Sequence, residues 1–393
     1  MSKRVNFLLI LLTAISLFSC KTRKYPERAS VVIVDTVLSG IHFSSSFPAA
    51  RMNTLNREND STFIIGISPE NKPINPSPWY AFKIWSSKAV PVTIKLKYDG
   101  AGHRYQPKIT TDGLHYADID EVMVNKNKSE AKFMLTVNTV PVTVAAQEII
   151  DSKMTYQWID SLAGQRFIKK KEIGKSVMGK PVIALHTTGS NGKKAVVVLS
   201  RQHPPEVSGY LAMQEFVRVV TSQMPLAVRF RAQYKIFIIP MINPDGVDEG
   251  NWRHSRNGVD LNRDWKEFNQ PETRAVRDYL LKTLSSQKAK VYFGLDFHST
   301  FYDVFYTNET NPAEPTHMPG FTDAWIKEFE KAIPGFKANV KPSGNVGNVS
   351  KSWMGKVLQA EAVTYEVGDD TPKAYVKLKA KVAAEKMMEL LLK

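Results

Sequence analysis

One cysteine, Cys20, stands in 393 residues, so no intramolecular disulfide can form even in a compartment that would allow one. The apolar run Phe7–Phe18 falls short of the ~20 residues that a helix needs to cross a bilayer. Internal repeats, low-complexity segments, and basic helices interleaved with aromatics are missing as well. The formal charge of +15 therefore makes no case for a nucleic-acid partner, and none is expected. It leaves an anionic surface, anionic substrates, or lysines that merely solvate the exterior.

At 43% hydrophobic and 23% charged residues, the chain has the make-up of a globular protein with an ample core, and its length suggests two or three domains. Lys3 and Arg4 precede the apolar run, which ends in Leu17-Phe18-Ser19-Cys20. That order reads as an export signal over residues 1–20, and it resembles the lipobox of bacterial lipoproteins, which implies lipidation of Cys20. An ordinary cleaved signal with an incidental cysteine is the alternative. Residues 21–28 then read as a basic tether. The expected location is the bacterial envelope, lipid-anchored and facing the periplasm or the outside, with the lipid as the only membrane contact.

Residues 29–146 carry short alternating runs divided by turn residues: Ser30–Val34, Phe63–Ile67, Trp79–Trp85, Val92–Lys97 and Phe133–Val137. Strands at this spacing without a helical period predict an antiparallel β-sandwich. Residues 147–393 change character. Lys194–Leu199, Lys235–Ile239, Lys290–Leu295 and Ala362–Tyr365 are continuous apolar runs, as expected of strands buried on both faces. Helical patterns at Leu211–Thr221, Pro271–Leu284 and Ala374–Leu392 alternate with them. This half is predicted to be an α/β domain whose mixed sheet is covered by helices on both faces, with ligands gathering past the strand ends.

His203 follows the first of those apolar runs, and Glu206 comes three residues later. On a loop turning into a helix, that spacing lets both side chains reach one spot. His298 in Asp296-Phe297-His298-Ser299 offers a third ligand. Two imidazoles, one carboxylate and an open fourth position are the ligand set of a catalytic zinc. His-x-x-Glu alone is common by chance, so the other motifs decide.

In order these are Asn243-Pro244-Asp245-Gly246, Trp252-Arg253, Asp260-Leu261-Asn262-Arg263, Asp296-Phe297-His298 and Thr364-Tyr365-Glu366. The series resembles the metallocarboxypeptidase family over residues 200–370. An all-β segment ahead of it, with the Pro78-Trp79-Tyr80-Ala81-Phe82 stretch, is similar to the cytosolic-carboxypeptidase branch, though here it follows an export signal. The resemblance implies zinc held by His203, Glu206 and His298, with Glu366 as general base and then general acid. It implies Arg253 at the developing oxyanion, and Asn262 with Arg263 on the free C-terminal carboxylate of a peptide substrate. Asp260 is implied to orient the His203 ring.

Two positions depart from the family pattern. Where pancreatic-type members have Ser-x-Asp-Trp, this chain has Ser350-Lys351-Ser352-Trp353. Lys351 either lines the specificity pocket and favours acidic C-terminal residues, or is merely solvated. The family's mobile tyrosine is missing from residues 342–348. The leading expectation is a zinc carboxypeptidase. The alternatives are an envelope amidase or deacylase acting on cell-wall peptides or acylated amino acids, and a degenerate binding lipoprotein.

Overall fold

The computed structural model describes residues 35–190, 192–309, 315–343 and 347–393. The signal, Cys20, the tether and the expected strand Ser30–Val34 lie outside these residues. No described helix is long and apolar enough to cross a membrane.

The N-terminal half consists of strands β1 (Asp35–Leu38), β2 (Ile41–Ser44), β3 (Thr54–Asn59), β4 (Thr62–Ile67), β5 (Ala81–Ser86), β6 (Val90–Tyr98), β7 (Lys108–Thr110), β8 (Ala117–Asp118), β9 (Met123–Val124), β10 (Glu130–Val137) and β11 (Val142–Ala145). They form two sheets, ordered β1-β2-β5-β11-β7-β8 and β3-β4-β6-β10-β9. Phe43, Phe82 and Ile84 from the first sheet and Phe63, Ile94 and Phe133 from the second share one core. Alternation in β4, β5 and β6, where every second residue is buried, is the period-2 signature of strands with one inward face. The expected antiparallel pattern fails at one place, because β4 and β6 are parallel. The chain leaves the second sheet after β4, adds β5 to the first, and returns for β6, so the two strands run the same way.

The C-terminal half contributes α1 (Ser152–Ala163), β12 (Ile168–Lys175), β13 (Pro181–Thr187), β14 (Lys194–Ser200), α2 (Val207–Val220), α3 (Pro225–Gln233), β15 (Tyr234–Ile239), α4 (Pro244–Asp248), α5 (Pro271–Gln287), β16 (Lys290–Thr300), β17 (Val304–Asn308), α6 (Phe321–Ala332), β18 (Val340–Ser343), α7 (Ser350–Leu358), β19 (Glu361–Gly368) and α8 (Lys373–Leu391). Its strands make a mixed sheet in the order β12-β13-β15-β14-β16-β19-β17-β18. The central β14, β15, β16 and β19 are mutually parallel. Val196 and Val198 of β14 pack with Phe216, Trp325 and Met387 on one face, while Ala195 and Val197 pack with Leu280 and Trp353 on the other. Helices cover both faces, which is why these strands read as unbroken apolar runs.

Three of the candidate site residues lie at the ends of the central strands. His203 is in the loop between β14 and α2, His298 in β16 and Glu366 in β19. β16 continues five residues beyond the apolar run that announces it, so His298 is a strand residue and not a loop residue. Gly209 in α2 sets how closely that helix approaches β16: a Cβ there would lie 2.1 Å from the His298 carbonyl oxygen.

Candidate active site

Glu206 is the residue that opens α2, and its carboxylate faces two imidazoles. His203 Nδ1 lies 2.8 Å from Glu206 Oε1, and His298 Nδ1 lies 2.7 Å from Glu206 Oε2. The two Nδ1 atoms are 3.2 Å apart. All three side chains are buried. On the far side of each ring a carboxylate accepts from Nε2: Asp260 Oδ1 at 2.9 Å for His203 and Asp296 Oδ2 at 2.9 Å for His298. An Nε2–H so engaged leaves Nδ1 with a lone pair, and both lone pairs then converge on one carboxylate. That arrangement suits a bound cation.

Electrostatics agree. Burial opposes charge on Glu206, but the His203 and His298 rings overcome it and hold the carboxyl below its usual range. Burial likewise opposes charge on His298, and Asp296 with Glu206 pushes that ring well above the ordinary imidazole value. A centre negative enough to retain a proton on a buried imidazole holds a divalent metal more strongly. His203, Glu206 and His298 supply donor atoms within 4.8 Å of one another, and two nitrogens plus one oxygen are ligands that suit zinc. The outer carboxylates fix the ring orientations.

Asp260 carries a second partner, since its Oδ2 accepts from Arg253 Nε at 2.7 Å. Burial works against ionisation of Asp260, yet His203 and Arg253 hold it well below the usual carboxylate range. Arg253 Nη1 lies 4.0 Å from Glu206. Asp296 also accepts from Gln202 Nε2 at 2.6 Å and from the Ser350 hydroxyl, which ties α7 to the floor of the site. Glu366 is opposite His298 in the β16–β19 register. Burial and the nearby Glu206 raise its carboxyl to about 7, against the pull of His298, His203 and Arg253. Its Oε2 is buried and has no hydrogen-bond partner among the described residues.

A cavity of ≈ 420 Å³ opens over these groups. It brings together all the residues singled out in the sequence except Asp260 and His298, which stand directly behind its wall, and Cys20, which lies outside the described residues. Asn262 is held by its Oδ1 accepting from Ser350 N at 3.0 Å, and exposed Arg263 stands beside it. Lys351 is buried and not solvated: its Nζ donates to Asn308 Oδ1 at 3.0 Å and to Ser343 O at 3.3 Å. Burial lowers its amine to about 8.

Several lining residues escape a motif search. Tyr306 of β17 is paired with Thr364 of β19 and shares its sheet face with Glu366, by the two-residue period. Ser77 and Arg104 come from the N-terminal half. Glu70 acts from behind the cavity, accepting from the backbone N–H groups of Trp252, Arg253 and His254 at 2.8, 3.0 and 2.6 Å. The signal for Glu70 was weak but present, a carboxylate among turn residues in Pro69-Glu70-Asn71-Lys72-Pro73. Nothing in the sequence marks Arg104.

The fold and this centre define a metallopeptidase-type zinc site on an α/β sheet. The zinc carboxypeptidase family profile matches residues 155–376, and the chain belongs to that family. Among its relatives, cytosolic carboxypeptidase 2 of Danio rerio is 32% identical over 149 residues, covering 35% of this chain and 21% of that protein. Cytosolic carboxypeptidase 6 of Caenorhabditis elegans is 28% identical over 193 residues, 46% of this chain and 41% of that protein. The chain thus spans well under two thirds of the curated relatives it matches. The fold is shared with a metallo-carboxypeptidase from Burkholderia cenocepacia, with a TM-score of 0.73 at 17% identity over 90% of this chain and 98% of that one. It is also shared with a Pseudomonas aeruginosa metallo-carboxypeptidase in complex with (2-guanidinoethylmercapto)succinic acid, with a TM-score of 0.70 at 18% identity over 89% and 98%.

Proposed function

We propose that this protein is a zinc-dependent carboxypeptidase that removes residues from the free C-terminus of peptides, working from a lipid anchor at Cys20 on the bacterial envelope. In this reading residues 29–146 form a β-sandwich domain and residues 147–393 the catalytic domain. The observation that carries the reading is the convergence, in one cavity, of the buried His203–Glu206–His298 cluster with Glu366, Arg253 and the Asn262–Arg263 pair.

His203, Glu206 and His298 would hold the zinc, which would supply a Lewis acid for the carbonyl oxygen and a more acidic water. Glu366, raised to about 7, is suited to take a proton from an attacking water and return it to the leaving amine, since a group titrating near neutrality does both well. Arg253 presents a fixed guanidinium to negative charge developing on the scissile carbonyl oxygen, and Asp260 keeps it from turning away. Arg263, with its planar fork exposed in the cavity, and Asn262 receive the terminal carboxylate. Lys351 supports a preference for an acidic last residue, because a buried cation in the pocket wall gains most from an opposite charge.

The test is cleavage of a peptide library and of muropeptides, followed by mass spectrometry, with one equivalent of zinc and with chelator. Shortening from the free C-terminus, abolished by chelator and by Glu366→Gln at unchanged zinc content, is the expected result. Release of acyl groups or cell-wall stem peptides without C-terminal trimming establishes the amidase or deacylase instead. Peptidase activity retained by Glu366→Gln, or a protein that binds no stoichiometric zinc, overturns the proposal.

A further inference from the structure

We infer that Arg104, supplied by the N-terminal half, forms a subsite for the peptide chain preceding the scissile bond, donating to an oxygen of the substrate two or three residues upstream. The inference rests on the carboxypeptidase reading and assigns direction within its cavity.

Direction comes from the strand register. β17 and β19 pair Val304 with Glu366 and Thr307 with Val363, so Asn308, which holds Lys351, lies toward the start of β19 from Glu366. Asp369 lies the other way, just past the end of β19, where its N–H continues the ladder to Thr300 O at 2.8 Å. At ~3.3 Å per strand residue, Asp369 lies roughly 10 Å to one side of Glu366 and Asn308, the partner of Lys351, roughly 13 Å to the other. A substrate whose last residue occupies the Lys351 end must run its preceding residues toward the Asp369 end. Arg104 stands there.

Its guanidinium is fixed but not saturated. Nε donates to Asp369 Oδ2 at 2.8 Å, and Nη1 to Ser77 Oγ at 2.8 Å and to Pro76 O at 3.5 Å. Among the described residues Nη2 has only Ser299 O, at the long distance of 3.5 Å. A guanidinium carries five N–H donors, so Nη2 keeps capacity for an incoming acceptor. The side chain is 7% exposed, which fixes it against loss of rotamer freedom on binding. Beneath it lies the Phe301 ring, 4.5 Å from Arg104 Cζ and itself 63% exposed, an apolar shelf at the cavity mouth. Purely structural ion pairs need neither an open aromatic nor an unfilled donor facing a substrate cavity.

The test compares kcat/KM for an N-acetylated amino acid with that for N-acetylated di-, tri- and tetrapeptides sharing the same C-terminal residue. Wild-type protein, Arg104→Ala and Arg104→Lys are used, each checked for zinc content and thermal unfolding. The tetrapeptide-to-amino-acid ratio is expected to fall about ten- to a hundredfold in both variants, the worth of one hydrogen bond to a charged group. The lysine variant retains a cation for Asp369 but cannot serve Asp369, Ser77 and substrate at once. Ala and Glu at the upstream positions tell a backbone carbonyl from a side-chain carboxylate as the acceptor. A ratio unchanged in both variants, or a loss equal at every length, overturns the inference while leaving the peptidase intact. A wild-type protein that shortens none of these peptides overturns the carboxypeptidase reading and this inference with it.

Discussion

At the scale of single residues, burial decides which groups do chemistry near neutral pH. Lys351 is the clearest case, because its amine loses solvation in the pocket wall and is lowered to about 8. An amine whose value is depressed keeps its charge below that value and loses it as pH rises through it. The proposed preference for a C-terminal Glu over Leu, measured as a ratio of kcat/KM in the free enzyme, is therefore expected to decline across pH 8. Lys351→Asp is expected to invert the preference toward basic residues, and unchanged selectivity across the library would remove Lys351 from the pocket. His203, Glu206, His298, Arg253, Asn262, Arg263 and Glu366, which the structure gathers in or against one cavity, could be picked out in the sequence because each sits in a short contiguous motif. Whether Lys351 was solvated was not legible, since burial depends on Ser343 and Asn308 arriving from two other strands. Tyr306 was silent for the same reason: only pairing with β19 turns it toward the cavity.

At the scale of elements, the centre exists because α2 lies hard against β16. Ser208 and the N–H of Gly209 both bond Ser299 Oγ, at 2.9 and 2.8 Å, and Gly209 leaves no room for a methyl group beside His298. Gly209→Ala is expected to push the helix start, and Glu206 with it, away from His298. The measurement is zinc affinity by competition with a chromogenic chelator. A loss of at least ~10-fold is expected, as misplacing a metal ligand or its support costs 10–100-fold, whereas native affinity would show that the helix adjusts without moving Glu206. The elements most readily foreseen were the long apolar strands β14, β15, β16 and β19, and the helices α2, α5 and α8. Among those missed, the regular β13, α1 and α6 stood beside others that were short or atypical. β8 and β9 have two residues each, too few to show a period, and β12 reads Ile168-Lys169-Lys170-Lys171-Glu172 because it is an edge strand, where lysines guard an open ladder.

For the whole molecule, the two halves meet at the candidate site residues and not at a hinge beside them. Val207 and Trp252 are buried in the N-terminal core. Arg51 Nη1 donates to Gly250 O at 3.1 Å, and Asn71 contacts His254 Nδ1 at 3.0 Å. Gly250 has φ +61°, and a Cβ would meet the carbonyl oxygens of Ala49 and Ala50 at 2.8 Å. No sequence motif announces such an interface, because its partners lie some 180 residues apart. Its centre is Glu70, whose two oxygens gather three consecutive backbone N–H groups of the turn bearing Arg253. A glutamine has an oxygen for only one side of that turn and sets an N–H against backbone N–H on the other; alanine strands all three donors, each costing about 1–3 kcal/mol when buried. Glu70→Gln is thus expected to lower kcat at least ~10-fold with little change in KM, as befits loss of charge stabilisation confined to the transition state. Zinc stoichiometry should remain one, since none of the ligands is on that turn. Glu70→Ala should lower both kcat and the unfolding temperature. A Gln variant whose kcat matches wild type would show that Asp260 alone, through Nε, is enough to aim Arg253.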